Sequence, residues 1–163
     1  MSSRLTVDIV TSYGLAPRAR TLLAMQTSEQ ETTGPADRPT DRLTVLGSTV
    51  RHAIDHVEVF SAPADVTTVR FTTDELQSMC PVTHQPDIAH VVIEYAPDQW
   101  CIESKSLKLY LWGFRDRAVF AEALTAEIAA EVMTTAAPKE VTVTLTQRPR
   151  GGIEVQAVAR LGR

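Results

Sequence analysis

Cys80 stands in the run FTTDELQSMCPVTHQPD, followed by prolines at positions 81 and 86. Each proline biases the residue before it toward an extended conformation, here Cys80 and Gln85. The run therefore reads as a stiff, irregular loop between two strands, the kind of segment that often holds reactive groups. A thiol can add to a neutral electrophile when a proton donor stands near the atom that gains electrons. Asp87, seven residues on, is the candidate donor. On these local features alone, an inert buried cysteine remains the simpler account of Cys80.

A second group lies in IESKSLKLYLWGFR. Lys105, Lys108, Trp112 and Arg115 recur at helical spacing. They form a stripe roughly opposite the apolar row of Leu107, Tyr110, Leu111 and Phe114. Three cations and an indole on one face can grip phosphates and stack on a ring. An ordinary solvated face has the same spacing. Glu103, just before this helix, sits where the helix macrodipole favours a carboxylate.

The third candidate is Glu122. Glu127 and Glu131 share a helical face and read as solvent-facing charges, whereas Glu122 projects roughly 160° away from them, toward Ala126, Ala129 and Met133. A lone carboxylate among small and apolar residues is costly to bury unless it binds something. First-turn capping is the competing explanation. Cys80, His84, His90 and Cys101 raise the question of zinc, but their spacing matches no strong zinc signature, and no metal is expected.

The elements that must position these residues follow from periodicity. Segments 67–73, 89–96 and 141–146 alternate with period two and predict strands. In the second, Ala89, Val91, Ile93 and Tyr95 share a face. RPRGG supplies turn residues, and 153–160 reads as the return strand of a hairpin. One helix is expected from Ser104, taken as its N-cap. A second is expected over 119–133, with Phe120, Leu124, Ile128 and Val132 in an i+4 row. Strands, then two helices, then a hairpin predict an α+β fold: an antiparallel sheet with both helices on one face.

The chain has 163 residues, 44% of them apolar and 22% charged, which suits one soluble domain. Residues 26–42 are polar and carry little to bury. They predict a flexible N-terminal extension over 1–42, with the folded domain over 43–163. A net charge of −4 argues against a polyanionic partner. There is no run of about 18 apolar residues to span a membrane and no signal-peptide pattern, so the expected location is the cytoplasm. Two cysteines in such a chain are not a disulfide framework.

Three segments, CPVTHQPD, ESKSLKLY and PRGGIEV, carry a resemblance in order and spacing. From about position 43 onward the chain resembles the short 7-cyano-7-deazaguanine (preQ0) reductases of queuosine biosynthesis, the pathway of a tRNA modification. ESKSLKLY is the stretch that separates these NADPH-dependent enzymes from relatives that lack the cofactor. The resemblance implies the tunnelling fold, with subunits in rings, active sites at their interfaces, and two stacked pentamers making a decamer. It implies that Cys80 adds to the nitrile carbon of preQ0 as a covalent thioimide and that Asp87 protonates the nitrogen. Two NADPH molecules would then deliver hydrides in succession to give the amine preQ1. Glu122 would read the guanine-like edge through two parallel hydrogen bonds, with Ala121, Ile102, Glu103 and Ser104 at the other substrate-contacting positions. Lys105 and Lys108, and more weakly Arg150, match the cofactor-phosphate positions. Neither nucleic acid nor a membrane is implied as a partner.

Two positions depart from the family pattern. Family members usually have glycine where this chain has His84, and many have histidine where it has Ala121. The expectation is that Cys80, Asp87 and Glu122 suffice, with His84 partly replacing the lost histidine. Competing readings are a non-reductive, amidinotransferase-like relative using the same thioimide, a non-catalytic deazapurine-binding protein, and a zinc-dependent pterin or purine hydrolase.

Overall fold

Ala89, Val91, Ile93 and Tyr95 form one fully buried strand face in the computed structural model, which describes residues 43–163. The expected extension over 1–42 lies outside the described residues. Among those described, the order is β1 (Val59–Ser61), β2 (Val69–Met79), β3 (Pro86–Ala96), β4 (Trp100–Ile102), α1 (Ser104–Trp112), α2 (Ala121–Ala136), β5 (Glu140–Arg150) and β6 (Ile153–Gly162). β2, β3, β5 and β6 make one antiparallel sheet in that spatial order, and β1 pairs with β4 separately. This is the expected α+β arrangement, with strands longer than the alternating segments alone implied. The β1–β4 pair is too short to leave a periodic signal and was not foreseen.

The register sets apolar residues opposite one another. Val91 pairs with Leu145, Ile93 with Val143 and Tyr95 with Val141, so side chains on one face meet across neighbouring strands. α2 packs against β5 and β6, while α1 lies over β2. Leu124, Ile128, Val132 and Ala136 supply the buried stripe of α2. Each large side chain of that stripe contributes about 1.5–3 kcal/mol by leaving water. Phe120 does not join the row. It is the N-cap residue, extended and 56% exposed, and α2 begins only at Ala121.

The cap of α1 also differs from expectation. Glu103, not Ser104, is its N-cap, and its carboxylate accepts from the N–H groups of Lys105 at 2.8 Å and Ser106 at 2.7 Å. A carboxylate there satisfies two orphan donors and faces the positive end of the helix dipole. Nor do Glu127 and Glu131 simply face solvent. Arg117 clamps Glu127 through both guanidinium Nη atoms, at 2.7 and 3.0 Å. Glu131 accepts the Val57 N–H at 2.9 Å, tying the segment before β1 to α2.

Candidate active site

The loop 80–85 joins β2 to β3 and closes on itself. The Cys80 N–H donates to the Gln85 carbonyl at 2.9 Å, and the His84 N–H donates to the Cys80 carbonyl at 3.0 Å. One residue must turn left-handed to bring the chain back, and His84 does so with φ at +54°. Glycine enters that region freely, whereas a side chain there costs about 1–2 kcal/mol. This is a physical reason for glycine to be preferred at this position. The His84 side chain is exposed.

Cys80 is 8% exposed, yet it stands outside the main apolar cluster. The groups that favour its thiolate are the Thr83 hydroxyl, the N–H groups of Thr83 and Val82, and the Arg150 guanidinium. Pro81 has no N–H to add. The Thr83 hydroxyl has the largest influence, followed by the two backbone N–H groups; burial opposes them, and Arg150 adds to them. Together they hold the thiol at about 7, where a free cysteine stands near about 8.5. The thiolate is therefore a larger share of this cysteine at neutral pH than of a free one.

Asp87, also 8% exposed, opens β3 one residue after Pro86. Arg150 reaches it from the end of β5, with Nε donating to Asp87 Oδ1 at 2.9 Å. The same guanidinium donates through Nη1 to Thr83 Oγ1 at 3.1 Å and to Gln85 Oε1 at 3.2 Å. Strand register explains the meeting. Ala89 pairs with Gln147, so continuing the β3–β5 register sets Arg150 beside Pro86.

A backbone bridge brings α2 to the same place. The Met79 N–H donates to the Arg117 carbonyl at 2.8 Å, and the Val119 N–H donates to the Met79 carbonyl at 3.1 Å. The residue before Cys80 is thus joined to the segment that enters α2. Ala121 is buried there, and Glu122 is exposed in the first turn. Cys80, Asp87, Arg150 and the start of α2 therefore gather at one end of the sheet.

Ile102, Glu103 and Ser104 lie elsewhere. The Ile102 N–H donates to the Tyr95 hydroxyl at 2.8 Å. Tyr95 is eight positions beyond Asp87 on β3, on the order of 25 Å along a strand. Both Glu103 carboxylate oxygens are engaged in capping α1.

Between α1 and the β2–β3 face runs a groove of about 700 Å³. Lys108, Trp112 and Arg115 line it with Ser104, Leu107 and Leu111. The polar stripe thus lies beside the apolar row rather than opposite it. Lys105 leaves the stripe. Its Nζ donates to the Val45 carbonyl at 2.7 Å and to the Ser48 carbonyl, anchoring the turn before β1. Both cysteines are free thiols, and Cys101 is buried in β4. Among the described residues no three His, Cys, Asp or Glu side chains converge as a metal-holding group, and no helix is long and apolar enough to cross a membrane.

Residues 86–163 match the family model described as QueF-like protein. The NADPH-dependent 7-cyano-7-deazaguanine reductase of Sinorhizobium fredii is 46% identical over 94 residues, which cover 58% of this chain and 61% of that protein. The protein of the same name from Methylocella silvestris is 49% identical over 86 residues, covering 53% of this chain and 56% of the relative. The chain thus spans less than two thirds of the length of these curated relatives. The crystal structure of the archaeosine synthase QueF-Like in the apo form superposes with a TM-score of 0.57 at 27% identity, over 61% of this chain and 97% of that one. Asp87, Glu122, Lys108 and Arg150 fall inside the family match, and Cys80 stands six positions before it.

Spacing alone gives Thr83 no role and Gln85 only an extended backbone. The signal that finds them is the closure of the loop, which brings both side chains to the Arg150 guanidinium.

Proposed function

We propose that this protein is an NADPH-dependent nitrile reductase that converts 7-cyano-7-deazaguanine (preQ0) to 7-aminomethyl-7-deazaguanine (preQ1), in the cytoplasm and within queuosine biosynthesis. The observation that carries the reading is the joint placement of a partly ionised Cys80, the carboxyl of Asp87 and the start of α2. The curated relatives at 46–49% identity support it, because each bears the name of this reductase.

The Cys80 sulfur bonds to the nitrile carbon, one π bond of the nitrile opens, and Asp87 supplies the proton that the nitrogen gains. The product of that step is a thioimide. Reduction to the amine takes two hydrides and one further proton for the nitrogen, and the thiolate leaves when the carbon–sulfur bond breaks. NADPH supplies the hydrides when bound. Lys108 and Arg115 fit its phosphates as cations, and the exposed Trp112 offers a ring to stack on. Glu122, exposed at the start of α2, is the acceptor for the ring N–H and exocyclic amine of the deazapurine.

The site reads as one shared between copies. Ile102, Glu103 and Ser104 sit far from Cys80 of the same chain, so their substrate role requires Cys80 of a neighbour. A closed ring of copies, stacked in pairs as a decamer, satisfies that requirement. Exposed apolar residues on β6, Ile153, Val158 and Leu161, are consistent with a covered strand in the assembly.

A second reading has an observation in its favour: one structural neighbour is an archaeosine synthase. At 27% identity it is more distant than the reductases, and the cationic groove along α1 favours a nucleotide cofactor. The test is NADPH oxidation by purified protein with preQ0. Two NADPH consumed per preQ1 formed supports the reductase, and thioimide formation without NADPH oxidation supports the alternative.

A further inference from the structure

We propose that Arg150 is a positioning residue for the nucleophile: it grips Asp87, Thr83 and Gln85 together, and through Thr83 it aims a hydroxyl proton at the sulfur of Cys80. This rests on the reading of Cys80 as the nucleophile and assigns Arg150 a role distinct from holding a cofactor phosphate.

Local sequence sets where Arg150 points. β5 and β6 slip register between Gln147 and Arg150, where Arg148 and Pro149 bulge opposite Glu154. Pro149 cannot donate to a ladder, so a bulge accommodates it. Gly151 and Gly152 then turn the chain with φ at +66° and +84°. Positive φ at both central residues is the signature of a type I′ hairpin, which glycine adopts without strain. Bulge and turn together leave Arg150 at the strand end nearest loop 80–85.

The guanidinium works there as a fork. Nε holds Asp87, and Nη1 is shared between Thr83 and Gln85. A threonine hydroxyl has one proton and two lone pairs. Because Thr83 Oγ1 accepts from Arg150, its own proton is left for another acceptor, and Cys80, joined to the same closed loop through Gln85 and His84, is the group whose ionisation it favours. Hydrogen bonds in such a chain polarise one another, so a cation at one end strengthens the donor at the other. The grip on Gln85 has a second effect. Its carbonyl accepts the Cys80 N–H, so holding Gln85 also holds the loop closed. The influence runs both ways, since Cys80 first and Asp87 second raise the pKa of Arg150. One guanidinium thus fixes the proton donor and the nucleophile relative to each other.

The test measures alkylation of Cys80 by iodoacetamide against pH in the full chain, read at the Cys80 peptide and without substrate or cofactor. The variants are Arg150→Met, Arg150→Lys, Thr83→Val and Thr83→Ser. Arg150→Met and Thr83→Val should move the midpoint up toward the ordinary thiol range, leaving labelling at pH 7 roughly three- to tenfold slower. Arg150→Lys should recover part of the shift and Thr83→Ser most of it, an order that general loosening of the fold does not produce. Profiles for Arg150→Met and Thr83→Val that superimpose on the parent would overturn the inference. Incubation of the parent with preQ0 keeps the two claims apart. A shifted profile with no adduct in the parent retains the role of Arg150 and defeats the nitrile reading. An adduct in the parent with unshifted variant profiles does the reverse.

Discussion

The Met79 carbonyl accepts the Val119 N–H at 3.1 Å, so the residue before Cys80 is fastened to the segment that leads into α2. Glu122 follows Val119 by three positions. The proposed nucleophile and the proposed recognition carboxylate are thereby held at one end of the sheet by backbone alone, whatever their side chains do.

Glu122 should therefore control binding and not the thiol. In Glu122→Gln, the concentration of preQ0 needed to half-saturate adduct formation should rise about ten- to a hundredfold, the effect of losing a charged acceptor. Iodoacetamide labelling of Cys80 should match the parent. Unchanged preQ0 binding would remove Glu122 from the site.

The two lysines of ESKSLKLY should separate cleanly. Lys105 holds the Val45 and Ser48 carbonyls, so Lys105→Met should lower stability by about 1–3 kcal/mol. Lys108 is exposed and lines the groove. Lys108→Met should leave stability within about 0.5 kcal/mol while raising the KM for NADPH. Thermal melts and NADPH titrations measure the two. The opposite pattern would mean that Lys105 is the phosphate ligand.

His84 adopts φ +54° with its ring exposed, which makes it a strained turn residue. His84→Gly relieves about 1–2 kcal/mol of left-handed strain and loses about 0.5–1 kcal/mol through the more flexible unfolded chain. The net should be a small stabilisation, at most about 1.5 kcal/mol. A β-branched residue is strained further there, so His84→Val should destabilise. If His84→Gly instead slows turnover and alters its pH profile, His84 has the chemical role that the absence of histidine at position 121 suggests.

Glu58 supplies a pH dependence. Its carboxylate accepts from the Thr44 N–H at 2.9 Å, the Thr44 hydroxyl, and the Val45 N–H at 3.2 Å. Burial is the largest single influence and opposes ionisation, but these donors outweigh it and hold the pKa below the usual value. A folded pKa below the unfolded one means that the stabilisation is complete above the unfolded value, about 4.3, and is lost as pH falls through the folded one. The stability gap between the parent and Glu58→Gln should hold constant near neutrality and close as pH drops below about 4. A gap that persists at lower pH would show that Glu58 acts through packing.

What was legible in the sequence was what repeats. Val141, Val143 and Leu145 announced β5, and RPRGG announced the hairpin. CPVTHQPD announced a stiff loop between strands. What was hidden depended on contacts between distant positions. The Arg150 grip on Asp87 spans 63 positions and needs the β3–β5 register. Lys105 kept its helical spacing but was drawn to carbonyls 57 and 60 positions earlier. Phe120 fits the i+4 row yet falls one residue outside α2, because periodicity marks a helix's face better than its ends.

Whether Cys80 forms the thioimide is read from an intact mass of the purified protein mixed with preQ0 in the absence of NADPH. The parent should gain one mass equal to that of preQ0, absent in Cys80→Ala, and discharged as the free amine when NADPH is added. A parent protein whose mass does not change, or an adduct that persists in Cys80→Ala, would contradict a Cys80 thioimide.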